Sequence, residues 1–256
     1  MPRLNTVTVV RSDYDGATAV ASSVLARAIG YMRARGFRVD DLYGSNATLE
    51  NVVNSLDSLD SIFFTGVGHG DRDVFTGQDR RAMFRTCSDV DYKLRSRVVF
   101  LLSCLTGENL GVDLVRNKGV RVFVGYKVEF TWVQSRVRDP LADVYARSFF
   151  EPVLEFYYRL ADGKTVKEAY LASIDKWNYW IDYWSKSNDP VAPLIVQTLV
   201  WDRDGQVLYG DENATIGTPT PIPLSWWVAS GIAYGLPLFA VASVIILDMQ
   251  TKSKVV

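Results

Sequence analysis

Two side chains in this 256-residue sequence could do nucleophilic chemistry together: the thiol of Cys104 and the imidazole of His69, the chain's one histidine. A thiol attacks as its thiolate, so it needs a base close by to take its proton. Cys104 follows Val98-Val99-Phe100-Leu101-Leu102-Ser103, an apolar run rich in β-formers. His69 follows Ser61-Ile62-Phe63-Phe64-Thr65 and lies within Gly66-Val67-Gly68-His69-Gly70-Asp71. Both groups therefore stand just past the end of a short strand of the kind buried on both faces. Taken singly, each has a plain structural reading: a small buried hydrophobe for the thiol, a loop residue for the imidazole. Taken together they point to a shared site, because open α/β sheets bind ligands at the carboxyl ends of parallel strands. Gly68 and Gly70 let the backbone approach a ligand closely on both sides of the imidazole.

Bringing two strand ends side by side takes a parallel sheet, and the pattern for one is present. Residues 6–11 alternate as a strand, and Asp13-Tyr14-Asp15-Gly16 reads as a turn. Residues 17–35 carry Val20, Val24, Leu25 and Ile29 at helical spacing, with Gly36 as the cap. A strand over 37–42, a helix from Asn46-Ala47-Thr48 to about Leu56, and the His69 strand follow. This order implies right-handed crossovers and a doubly wound, mostly parallel α/β sheet flanked by helices. Residues 71–97, rich in Asp and Arg, read as a solvated loop and helix, with Asp71 as an alternative partner for the imidazole. After Cys104 the pattern gives a helix over 108–118, a strand over 120–125, and a helix from Pro140 at its first position to about Ala161. Thr165 caps another helix, whose aromatic stripe of Trp177, Trp180 and Trp184 reads as core. Residues 195–201 and 207–209 read as strands around the turn Asp202-Arg203-Asp204-Gly205.

The order of apolar strand, His-Gly, spacer, apolar strand, small residue and Cys resembles the caspase-fold cysteine peptidases, and within them the gingipain-like branch. Three further stretches carry the resemblance. Asn117-Lys118-Gly119-Val120-Arg121-Val122-Phe123-Val124-Gly125 is similar to the next helix end and strand of that fold. Gly163-Lys164-Thr165-Val166-Lys167-Glu168-Ala169 resembles its helix start, and Val207-Leu208-Tyr209-Gly210-Asp211 its closing strand. The match spans residues 5–215. One departure stands out: the caspase signature Q-A-C-x-G is replaced by Leu102-Ser103-Cys104-Leu105, and the His–Cys spacing is shorter. This departure bears on caspase-type aspartate specificity, which the resemblance therefore does not imply, and not on the fold. The resemblance implies a cysteine endopeptidase in which Cys104 attacks the scissile carbonyl and His69 handles the proton. It further implies that the backbone N–H groups of Gly70 and Cys104 hold the oxyanion. A peptide or protein is then the substrate.

Residues 126–136 mix aromatic and charged residues after a strand end. Glu129 and Trp132 are candidates to line a specificity pocket, Glu129 for a basic side chain; an ordinary surface loop is the alternative. With one histidine no usual zinc site can be built, and no metal or organic cofactor is implied. A net charge of −1 gives no basic excess and so implies no nucleic-acid partner. Cys87 and Cys104 are too few for a disulfide framework, although one bond between them would be possible and would consume the nucleophile. Two other classes stay open: a catalytically inactive caspase-fold membrane protein acting as a docking module, and an α/β module binding a small ligand at its strand ends.

Composition shifts late in the chain. The expected layout is a peptidase domain over 1–215, a Pro-rich linker over 216–224, a transmembrane helix over 225–248 and a short tail over 249–256. Residues 224–247 carry no charge, and 226–247 as a helix would be about 33 Å long, against ~30 Å of bilayer core. Trp226 and Trp227 at one end and Lys252 and Lys254 beyond the other suit the two interfaces. The lipid bilayer is therefore an expected partner through a single-pass C-terminal anchor. The N-terminus lacks a signal-peptide pattern, which favours a cytoplasmic domain; the flanking charges favour the extracellular alternative.

Overall fold

The computed structural model describes residues 2–220. In chain order the elements are β1 (Arg3–Arg11), α1 (Gly16–Ala34), β2 (Arg38–Tyr43), α2 (Leu49–Leu59) and β3 (Ser61–Val67). Three short strands follow, β4 (Gly70–Asp71), β5 (Val74–Thr76) and β6 (Ala82–Arg85). Then come β7 (Val98–Leu102), α3 (Leu110–Arg116), β8 (Val122–Tyr126), α4 (Val144–Ala161), α5 (Val166–Ser185), α6 (Ala192–Gly205) and β9 (Gln206–Gly210). Six strands form one sheet in the order β2-β1-β3-β7-β8-β9, parallel except for β9, which runs antiparallel to β8.

Strand alternation divides the core between the two faces of this sheet. Phe63, Val98, Phe100, Leu102, Val122 and Val124 join the core under α1, α4, α5 and α6. Phe64, Val99, Leu101 and Phe123 point the other way, to the core under α2 and α3. A strand covered on both faces must be apolar at every position, which is why β3 and β7 read as unbroken runs. The α5 stripe is core as expected, and each indole N–H finds an acceptor. Trp177 donates to Gln206 Oε1 at 3.0 Å, Trp180 to Glu151 Oε2 at 3.1 Å and Trp184 to Ser148 Oγ at 2.7 Å. Thr165 caps α5 in a capping box with Glu168.

Four expectations are corrected. Residues 71–97 are not a plain loop and helix: β4, β5 and β6 form a small antiparallel sheet whose Phe75 and Phe84 are wholly buried. Residues 195–201 are not a strand but part of α6, because Ala192, Ile195 and Leu199 recur at helical spacing and are buried on one face. The presumed hairpin turn 202–205 is the last turn of that helix. Helix α4 starts at Val144, not Pro140; Asp143 is its N-cap and accepts from Tyr145 N–H at 3.0 Å.

The segment expected as a linker begins as part of the domain. Ile216 is buried, Thr218 N–H donates to Asn5 Oδ1 at 2.8 Å, and Asn5 Nδ2 donates to Thr218 O at 2.7 Å. Thr220 N–H donates to Arg35 O at 2.9 Å. Among the described residues no helix is long and apolar enough to cross a membrane. The expected span over 225–248 and its tail lie outside the described residues.

Candidate active site

Register brings the two reactive residues level. Strands β3 and β7 are neighbours, parallel, with Val67 opposite Leu102 as their last pair. His69 and Cys104 each lie two residues beyond that pair, on strands roughly 4.8 Å apart. Both line one cavity of about 110 Å³. The sheet thus does what the sequence required of it, since the imidazole and the thiol leave the core side by side.

The turn carrying His69 is held from both sides. Its carbonyl accepts from Thr76 N–H at 2.9 Å and from Thr76 Oγ1 at 2.8 Å. Its ring Nε2 bonds Asp15 Oδ2 at 2.7 Å. Asp15 is also the N-cap of α1, accepting from Thr18 N–H at 2.9 Å. Partial burial works against ionisation of this carboxyl, but its hydrogen bonds from Thr18 and His69 prevail and hold it down at about 2. Asp15 is therefore a carboxylate at neutral pH, and a carboxylate accepts only, so the ring proton sits on Nε2 and leaves Nδ1 as the basic nitrogen.

Glycine is required on both sides of this histidine by close approach. A Cβ on Gly68 would strike the Thr76 carbonyl oxygen. One on Gly70 would strike Ser103 Oγ and stand 2.6 Å from Cys104 O. Gly70 is thus the point where the two turns touch. The ladder of β4 and β5 adds a consequence. Thr76 N–H bonds His69 O and Gly70 pairs with Phe75, so Gly70 occupies a non-hydrogen-bonded position and its N–H turns away from β5.

Cys104 is held differently. The backbone after β8 runs past it as a strap that bonds on two sides by turns. The carbonyls of Tyr126 and Val128 accept from Gly107 N–H at 2.8 Å and Leu105 N–H at 3.0 Å, and that of Phe130 accepts from Cys104 Sγ at 4.0 Å. On the other side Lys127 N–H donates to Gly205 O at 2.8 Å, Trp201 Nε1 to Glu129 O at 3.0 Å, and Thr131 N–H to Asp202 Oδ1 at 3.2 Å. Leu105, next to the thiol, has φ 59° in the left-handed region, a conformation that costs a non-glycine residue roughly 1–2 kcal/mol. Burial pushes the Cys104 thiol above its ordinary value, and the Glu129 and Asp202 carboxyls add to this. The resting group is a thiol, not a thiolate. No hydrogen bond joins it to His69 among the described residues.

The strap sorts its own side chains. Phe130 and Trp132 line the cavity shared by His69 and Cys104. Glu129 does not: it is exposed and lines a separate depression of about 720 Å³ with Lys127 and Trp201. The expectation that Glu129 and Trp132 share one pocket is corrected to this extent, for adjacent odd and even positions of an extended strap face opposite ways. Cys87 is exposed, remote from the site in its bond from its N–H to Asp113 Oδ2, and free, as is Cys104. The sequence reading missed Asp15, taken there as part of a turn, and Phe130. The signal for Asp15 was its position three residues before Thr18, the pattern of a helix N-cap at a strand end. Among the described residues no group of His, Cys, Asp and Glu is placed to hold a metal ion.

No protein-family model and no curated protein matches the sequence. Solved structures do. The crystal structure of the Arg-specific cysteine proteinase gingipain R (RgpB) matches with a TM-score of 0.59 at 13% identity, covering 85% of this chain and 49% of that one. The complex of the Porphyromonas gingivalis RgpB pro- and mature domains matches with a TM-score of 0.58 at 13% identity, covering 85% and 50%. The chain spans about half the length of the structures it matches. At this identity the likeness is one of fold: the α/β sheet described above, mostly parallel and flanked by helices, is similar to that of gingipain R.

Proposed function

We propose that this chain is a cysteine endopeptidase in which Cys104 is the nucleophile and His69 its base. One observation carries the reading: an imidazole with a carboxylate on its far nitrogen and a thiol leave adjacent parallel strands at the same level and border one cavity. In the reaction the Cys104 proton passes to His69 Nδ1 as Sγ bonds the scissile carbonyl carbon. The negative oxygen that forms is held by the N–H groups of Gly70 and Cys104, the first of which is turned away from its own ladder. As the C–N bond breaks, the imidazolium gives its proton to the leaving amine. Water then attacks the acyl-thioester, losing a proton to His69, and the thiol is restored. Asp15 keeps the ring oriented.

One observation favours a second reading, an inactive caspase-fold docking module: the thiol is neutral at rest and touches Phe130 O rather than the imidazole. Turnover of a fluorogenic peptide library by the full chain decides between them. The peptidase reading expects Cys104→Ala to cut turnover by roughly 10³ or more and Cys87→Ala to leave it intact. Equal losses from both variants, or activity surviving in Cys104→Ala, removes Cys104 from the role. The bilayer anchor over 225–248 belongs to the same proposal, supported by the absence of charge over 224–247. Release of the full chain from membranes by alkaline carbonate would reject it.

A further inference from the structure

Resting on the peptidase reading, the cavity between His69 and Cys104 has a composition that names its substrate. It borders the attacking sulfur and the base, so the side chain of the residue whose carbonyl is attacked must lie in or against it. The depression beside Glu129 borders neither. The walls of the cavity shared by His69 and Cys104 are Ala17 and Ala21 from α1, Val67 and Leu102 from the ends of β3 and β7, and Phe130 and Trp132 from the strap. No lysine, arginine, aspartate or glutamate lines it.

The polar groups that do reach the cavity are mostly committed. Thr18 Oγ1 donates to the Asp15 carboxylate at 2.9 Å and accepts from Asp15 N–H at 3.2 Å. His69 is tied to the same carboxylate, and Cys104 is the nucleophile. That leaves the buried hydroxyl of Ser103, which has no partner among the described residues. A charged side chain entering here would give up water against a wall with no charged side chain in it, which is unfavourable. We infer that the enzyme cleaves after uncharged, mainly apolar residues such as valine and leucine, and rejects both basic and acidic ones.

The test uses the full chain and peptidyl chloromethyl ketones that differ only in the residue next to the warhead: valine, arginine or aspartate. In each, Cys104 Sγ displaces chloride and forms a thioether, read by mass spectrometry against time. The expected result is labelling by the valine probe at least roughly 10² faster than by the other two. A second arm adds the missing counter-charge. Ala17 is exposed at the cavity edge in the first turn of α1, where an acidic residue suits the helix dipole. In Ala17→Asp the arginine probe should gain roughly tenfold or more over wild type, as one charge-assisted contact supplies. Arginine or aspartate preferred by the wild type overturns the inference while the peptidase reading stands. An arginine rate unmoved in Ala17→Asp overturns the assignment of this cavity to that side chain. If none of the probes labels Cys104 while iodoacetamide still does, the peptidase reading fails and takes the inference with it.

Discussion

The two turns that meet at Gly70 are built to different standards. The His69 turn is pinned at the backbone by Thr76 and at the ring by Asp15, itself fixed as a helix cap. The Cys104 turn contains a non-glycine residue in the left-handed region and depends on a strap whose other edge hangs from the last turn of α6. The imidazole is held by its own neighbours; the thiol is held at second hand. A thiol kept neutral and bonded away from its base can exchange partners when a substrate carbonyl arrives, whereas the ring that receives its proton should not move. Geometry that tightens only in the substrate complex is common for such pairs.

The sharpest way to break the comparison is at the contact itself. Gly70→Ala forces a methyl group against Ser103 Oγ and Cys104 O, so the firm turn must push the compliant one. We expect kcat to fall by roughly 10²–10³, the loss typical of a displaced oxyanion donor, while circular dichroism stays native. Unchanged kcat would mean that the Gly70 N–H has no part in the reaction. Next is the pin on the ring. Asp15→Asn keeps an oxygen to cap α1 but removes the charge beside the imidazole, and kcat should fall roughly tenfold to a hundredfold, a part of the ~10²–10⁴ that general acid–base transfer supplies. The pH dependence has a defined sign. The Asp15 value of about 2 lies below its ordinary 3.8, so the stability it contributes is complete above about pH 4 and is lost as pH falls toward 2. The Asn variant should lack that acid-limb loss in urea titrations; an identical acid limb would show that the bond contributes nothing.

The smallest effect is expected on the compliant side. Asp202 is wholly buried, one oxygen holding Thr131 N–H and the other without a partner. Burial pushes its carboxyl well above the ordinary value, with the Thr131 bond only partly opposing this. A raised folded value means that stability is full below the unfolded value and declines as pH rises above it, by up to ~1.4 kcal/mol per unit while the folded group stays protonated. Asp202→Asn keeps the bond to Thr131 and removes the decline. Its urea midpoint should exceed that of wild type at pH 8 more than at pH 5, with kcat changed by less than about threefold. A larger gain at pH 5 would contradict the sign.

Much of this was legible in the sequence, and the boundary is physical. Strands β3 and β7 could be read because burial on both faces demands apolar residues at every position, and their ends marked His69 and Cys104 directly. The α5 stripe was legible because helical spacing repeats over many residues. Asp15 was not, since its role depends on β1 lying next to β3, a fact of topology rather than of local pattern. Helix α6 was hidden because its β-branched residues favour a strand until α5 supplies a face to pack on. The split between Glu129 and Trp132 needed the strap's extended backbone and the helix behind it.

The pairing of Asn5 with Thr218, and of Arg35 with Thr220, fixes where the chain leaves the domain. Asn5 stands near the start of β1, and Arg35 follows the end of α1, so both mark the edge of the sheet from which the strands set out. His69 and Cys104 stand beyond the edge at which β3 and β7 finish, roughly 20 Å away along a strand that rises ~3.3 Å per residue. A mechanical load applied through Thr220 would therefore be taken up by the first strand and first helix and would pass by the strap.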